Sequence, residues 1–155
     1  HPNESTVFEE RYPGKPNEMS CVLEVRNERA SLWLTGDVEK YGEAEIVQRL
    51  GPLMLQTIGN RELILMAPHH GSKTSSSLEL LKKLEPNQAF AQNGYRNRYG
   101  HPHPTVIDRY ESLQIPLYQT PKTGAQIWTF KNNVNPFTQF WRHDIKRLWH
   151  RNSDH

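Results

Sequence analysis

The stretch from Met66 to Ser77 reads MAPHHGSKTSSS and sets two adjacent histidines, His69 and His70, behind a proline and ahead of a serine-rich helix start. Neutral imidazole is the commonest protein metal ligand and also the side chain that changes charge most readily near neutral pH. A second chemical group closes the segment LTGD, where Gly36 gives the backbone freedom to turn and present the Asp37 carboxylate. A carboxylate and an imidazole delivered by two strand ends are ligand types that a divalent ion such as Zn²⁺ or Mn²⁺ accepts. Such an ion lowers the pKa of bound water to about 7 and offers hydroxide to a phosphoryl centre. Hydrolysis is the chemistry implied, with Asp37, His69 and His70 as the candidate residues and the choice between the two imidazoles as metal donor left open at this point. Taken singly, each group also has a plainer reading: an aspartate after glycine is a common turn, and a histidine pair often has one ring packed and one solvated.

The third cluster is GYRNRYGHPHP, from Gly94 to Pro104. Arg96 and Arg98 alternate with Tyr95 and Tyr99 around Asn97, which supplies guanidinium forks for phosphate and aromatic faces for bases. His101 and His103 form an H-x-H pair that stops there, since Thr105 and Val106 stand where H-x-H-x-D-H would need aspartate and histidine. His103 therefore reads as a loop or helix-start residue, and His101 as a substrate-side group. Gly71, Ser72, Lys73 and Thr74 read either as an anion site near a helix N-terminus or as a solvated loop with a capping serine.

Positioning these groups requires strands that end on one rim. CVLEVR (21–26) and SLWLTGD (31–37) have strand character and flank a polar break, as a hairpin would. Helical spacing over 43–50 follows, then the apolar run ELILMAP (62–68), which suits a strand covered on both faces. Ser76 as N-cap with Glu79 behind it predicts a capped helix over 75–84. QAFAQN (88–93) is a strand, 105–113 a helix, and IPLYQT with AQIWTF finish the sheet. The segment 1–19 reads as loop, and 136–150 as a terminal helix. Its apolar stripe, Phe137, Phe140, Trp141, Ile145, Leu148 and Trp149, covers a core, or else its basic side touches DNA. Strands alternating with helices after a hairpin argue for an α/β layered fold. In such folds ligands sit beyond the carboxyl ends of the strands, so Asp37, His69, His70 and the His101 loop are expected on one rim.

A chain of 155 residues with a net charge of +2 fits a single domain and is too weakly basic to mark a nucleic-acid binder by charge alone. The lone Cys21 excludes an internal disulfide and a cysteine zinc site. No run approaches the roughly 18 apolar residues of a membrane helix, which predicts a soluble piece. The first residue is His1, which suggests a piece cut from something longer.

In order and spacing, NEMSCVLEV, LWLTGDVEKYGE, MAPHHGSKTSSS, NGYRNRYGHPHP and YQTPKTGAQIW resemble the C-terminal metallo-β-lactamase-like domain of ComEC, the inner-membrane DNA-uptake channel of naturally competent bacteria. The resemblance spans about Asn17 to Phe130. It implies an αββα sandwich with a dinuclear metal site at its rim, and a Mn- or Zn-dependent nuclease that degrades one DNA strand during transformation. By family pattern Asp37 bridges both ions and His70 ligates one. His69 neighbours a substrate phosphate, and His101 sits at the site, with Ser72, Lys73, Arg96, Asn97 and Arg98 on the substrate side. The implied partners are single-stranded DNA, the membrane channel and the first half of the domain, on the periplasmic face of the inner membrane. The upstream H-x-H-x-D-H motif of the family has no counterpart before Asp37, so the chain reads as the C-terminal half of the domain. As such it is expected to lack activity, to hold metal weakly or not at all, and to self-associate through an uncovered apolar face. Two other readings stand beside the nuclease: a catalytically silent module that binds single-stranded DNA, and a hydrolase of a small phosphodiester.

Overall fold

Short apolar strands alternating with amphipathic helices give a mixed sheet with helices packed on one face. A computed structural model describes residues 14–52, 61–131 and 134–144. Strands β1 (Leu23–Arg26) and β2 (Ala30–Leu34) form the expected antiparallel hairpin, closed where Asn27 Oδ1 accepts from the Arg29 and Ala30 amides. Helix α1 (Lys40–Arg49), β3 (Glu62–Met66), α2 (Leu78–Leu84), β4 (Gln88–Ala91), α3 (Pro104–Ser112) and β5 (Leu117–Gln119) follow. The sheet order is β1-β2-β3-β4-β5, and β2 through β5 run parallel. Among the described residues no helix is long and apolar enough to cross a membrane.

The period-2 pattern of the strands sorts the side chains onto two faces. Trp33, Leu63, Leu65, Ala89 and Ala91 face the helices, where Leu80, Leu81 and Leu84 of α2 and Val106 and Tyr110 of α3 complete one apolar core. The register puts Val25, Leu32 and Ile64 on the opposite face together with Phe90 and Tyr118.

Two expectations need correction. AQIWTF does not extend this sheet: β6 (Gln126–Thr129), reached through the short helix α4 (Thr120–Thr123), pairs antiparallel with β7 (Phe137–Phe140) in a separate ribbon. That ribbon lies on the second face, with Trp128 5.7 Å from Phe90 and Phe140 4.7 Å from Tyr118 between ring centroids. The terminal helix therefore does not begin at 136. Residues 137–140 alternate in exposure as a half-buried strand, α5 (Trp141–Asp144) begins only afterwards, and the remaining residues of the expected helix lie outside the described ones. The expected loop over 1–19 is likewise only partly described: Pro16–Met19 forms a 3-10 turn whose Glu18 is buried.

The helix cap also differs by one residue. Ser77, not Ser76, caps α2, its Oγ accepting from the Leu80 amide at 3.2 Å, so Glu79 cannot close a capping box. Ser76 instead adopts a left-handed φ of 53°. Its amide and that of Ser77 both donate to the buried Glu43 carboxylate from α1.

Candidate functional site at the carboxyl ends of the parallel strands

Because β2, β3 and β4 are parallel neighbours, the loops that follow them emerge on one rim. The loop after β2 is tied to the turn after β3 by two hydrogen bonds: Thr35 Oγ1 donates to the Met66 carbonyl at 2.9 Å, and the His69 amide donates to the Gly36 carbonyl at 3.0 Å. The Asp37 amide is held in turn by Ser20 Oγ at 3.1 Å. These ties bring Asp37 Oδ1 to 3.3 Å from His70 Nε2, both side chains about half exposed. His69 points the other way along the rim, with Nδ1 3.0 Å from Glu39 Oε1. That contact is an ion-pair distance without hydrogen-bond alignment, and Glu39 Oε1 accepts instead from Asn17 Nδ2 at 3.1 Å.

The histidines sit in an unusual backbone. His69 has φ 46°, ψ 44° and His70 φ 55°, ψ 18°, two consecutive left-handed residues inside the turn Pro68–Gly71. A non-glycine residue in this region costs on the order of 1–3 kcal/mol, and such residues persist where the surroundings over-determine them. Here the surroundings are the Ser75 hydroxyl, donating to the Pro68 carbonyl at 2.6 Å, and the loop before α3. Gly71, with φ 81°, packs directly on that loop: a Cβ there would lie 2.8 Å from Pro102 Cβ, and the Gly71 carbonyl accepts from the His103 amide at 2.8 Å. The glycine of HHGS is thus a contact requirement.

The same contact brings His101 to the site. Its ring centroid lies 5.8 Å from that of His69 and 5.8 Å from that of Tyr99, on which it stacks. Burial is the main force holding the His101 imidazole below its ordinary pKa of 6.5, and the neighbouring His69, His70 and His103 add to it. His103 caps α3, its Nδ1 accepting from the Thr105 amide at 3.3 Å, which is the helix-start place its sequence context implies.

The remaining expected residues fall into two groups. Tyr95, Arg96, Arg98 and Tyr99 are exposed on the loop after β4. Asn97 spends its side chain inside that loop: Oδ1 accepts from the His101 amide at 2.9 Å, and Nδ2 donates to the carbonyls of His101 at 2.6 Å and Gly94 at 3.2 Å. Lys73 is exposed, whereas Ser72 is buried with Oγ 3.1 Å from Thr74 Oγ1. The first amides ahead of α2 are taken by Glu43, so an external anion here would meet the 72–74 turn and not the helix end.

Three carboxylates escaped the sequence reading. Glu39 neighbours His69. Glu18 caps α1 from a distance, its Oε2 accepting from the Gly42 amide at 2.7 Å and its Oε1 from the Tyr41 amide at 3.2 Å. Glu43 was legible only as a first-turn acid; its partners lie 33 and 34 residues away. Burial pushes the Glu43 carboxyl up, against the opposing pull of the Ser77 and Ser76 hydrogen bonds and the Arg109 charge.

Chemically, the rim offers an oxygen donor and a nitrogen donor side by side, with two further imidazoles within one ring contact. Among the described residues no group of three or more His, Cys, Asp or Glu side chains converges as a metal ion requires. Asp37 and His70 therefore fit as a partial ligand pair and not as a complete metal site, because zinc takes at least three protein ligands.

The fold and rim define an α/β chain with a polar site at the ends of its parallel strands. The chain is similar to a segment of each of several much longer bacterial proteins. It is 31% identical over 136 residues to ComE operon protein 3 of Bacillus subtilis, covering 88% of this chain and 17% of that protein. It is 38% identical over 109 residues to Competence protein ComA of Neisseria gonorrhoeae, 70% of this chain and 15% of that one. It is also 33% identical over 128 residues to the Escherichia coli protein YcaI, described as uncharacterized, 83% of this chain and 15% of that one. The chain thus spans less than a fifth of the length of these curated relatives. No family model matches the chain. No solved structure matches it either.

Proposed function

We propose that this chain belongs to the ComEC family of competence proteins and is the C-terminal half of a metallo-β-lactamase-like domain. That domain degrades the non-transported DNA strand during uptake, on the extracytoplasmic face of the inner membrane. The observation that carries this reading is the 3.3 Å approach of Asp37 Oδ1 to His70 Nε2 at the rim, in a chain similar over most of its length to ComE operon protein 3 and to a protein named for competence. Further support is the open second face of the sheet at its β1 end, where Leu23 is 55% and Val25 49% exposed. A sandwich would cover those side chains with a second sheet.

In this reading Asp37 and His70 are part of the ligand set for Mn²⁺ or Zn²⁺, and the other ligands come from parts of the longer protein beyond this chain. The ion supplies Lewis acidity and a metal-activated water when bound. The residues of this chain hold two of its donors in fixed register. His69 and His101 flank the path of the substrate phosphate, and Ser72 and Lys73 lie on the turn beside it. The test is degradation of labelled single-stranded DNA by the protein at the full length of its relatives. Asp37→Ala and His70→Ala are expected to abolish cleavage while leaving the fold intact, and undiminished cleavage by either variant removes these residues from the mechanism.

A further inference from the structure

Between the rim and solvent lies a chain of planar groups that no step above requires. Tyr95 and Tyr99 are 68% and 64% exposed, which is unusual for rings that could bury their area. Each carries the guanidinium of its neighbour: Arg96 Cζ lies 5.2 Å from the Tyr95 ring centroid, and Arg98 Cζ lies 4.8 Å from that of Tyr99, with Arg98 Nη2 also donating to the Tyr99 hydroxyl. The loop that displays them is braced by the Asn97 side chain, which bonds the backbone at Gly94 and His101. Arg96 holds a left-handed φ of 51° within this braced loop. From Tyr99 the rings continue inward, stacking on His101, whose edge meets His69 beside the Asp37–His70 pair.

We propose that the Tyr95–Arg96 and Arg98–Tyr99 pairs are a stacking platform for unpaired nucleobases, which selects single-stranded nucleic acid and delivers its backbone to the rim. Resting on the proposed DNA-acting role, this names what the site grips: base faces as well as phosphate charge. Aromatic rings and guanidinium planes both accept a base face, every base has one, and duplex bases keep theirs stacked on one another. The positive charge lies in the same planes, where the phosphates between successive bases would meet it. Asn97 is a positioning residue that holds the platform and touches no base.

The experiment measures binding of this chain, by fluorescence anisotropy at fixed salt, to three probes of equal length: a deoxythymidine oligomer, an abasic deoxyribose-phosphate oligomer of the same charge, and a duplex. Stacking predicts that the thymidine oligomer binds about tenfold tighter than the abasic one, and that Tyr95→Ala with Tyr99→Ala removes this advantage while leaving abasic binding unchanged. Arg96→Ala with Arg98→Ala is expected to weaken all three probes and flatten the salt dependence. Equal affinity for thymidine and abasic oligomers, or an advantage that survives loss of both tyrosines, overturns the platform. Absence of binding to every probe also overturns it. Because binding needs neither metal nor cleavage, these outcomes are separate from loss of the nuclease reading, which rests on the Asp37 and His70 variants of the longer protein.

Discussion

Each side chain at the rim is defined by what holds it. Asp37 and His70 meet because the loop after β2 is tied to the turn after β3, through Thr35 Oγ1 to the Met66 carbonyl and the His69 amide to the Gly36 carbonyl, so these bonds place the pair. A half-exposed pair contributes little to stability, on the order of 1 kcal/mol or less. His101 is different. Its imidazole is depressed below 6.5, chiefly by burial, so the folded chain favours the neutral ring. Its contribution to stability is fully present above about pH 6.5 and is lost as pH falls through the depressed folded value. A histidine titration by NMR is expected to place His101 below the ordinary value, and His101→Asn should reduce the loss of melting temperature between pH 7.5 and 5.5. A titration midpoint at or above 6.5 contradicts the burial seen here.

At the scale of elements, the rim depends on the helices behind it. The Glu43 carboxylate from α1 receives the Ser76 and Ser77 amides, while Arg109 of α3 donates to the Ser75 carbonyl at 2.7 Å and the Tyr110 hydroxyl donates to Ser76 Oγ at 3.3 Å. Two helices, α1 and α3, thus converge on the segment that follows His69 and His70 and leads into α2. Glu43→Ala strands the buried Ser76 amide and the half-buried Ser77 amide and is expected to cost about 2–4 kcal/mol in urea unfolding, far more than an exposed acid such as Glu79. A loss under 1 kcal/mol would show that solvent replaces the carboxylate. The strands and helices around the core were readable in the sequence because their apolar periods are strong: Leu80, Leu81 and Leu84 follow a capping signal at helical spacing, and Leu63 to Met66 suits a buried strand ended by proline. So was the meeting of Asp37 with His70, since both close parallel strands. Glu43 and Glu18 were not readable as anchors, because a carboxylate that binds amides 23 to 34 residues away leaves no local pattern. Phe137–Phe140 was misread because aromatic spacing that suits a helix stripe also suits alternation in a short strand, and only pairing with β6 decides between them.

At the scale of the molecule, the described residues cover one face of the five-stranded sheet with helices and the other face only in part. Helices bury Trp33, Leu65 and Ala89, whereas the ribbon of β6 and β7 reaches only the β4–β5 end of the second face and leaves Leu23 and Val25 exposed at β1. An open apolar edge of this kind favours pairing with another sheet. The 155-residue chain is therefore expected to self-associate in sedimentation at micromolar concentration, and Leu23→Lys with Val25→Lys to return it to monomer without loss of helix content. A wild-type chain that stays monomeric would mean the face needs no cover. The proposed site is alike in this: among the described residues Asp37 and His70 meet without a third His, Cys, Asp or Glu converging on them, and an ion held there would need further ligands. The most direct measurement is the rate at which the protein of full relative length degrades an end-labelled single strand in Mn²⁺, compared with its His70→Ala variant and with this chain alone. The account predicts cleavage by the first and none above background by the other two. Cleavage by the His70→Ala protein at the unsubstituted rate would contradict it.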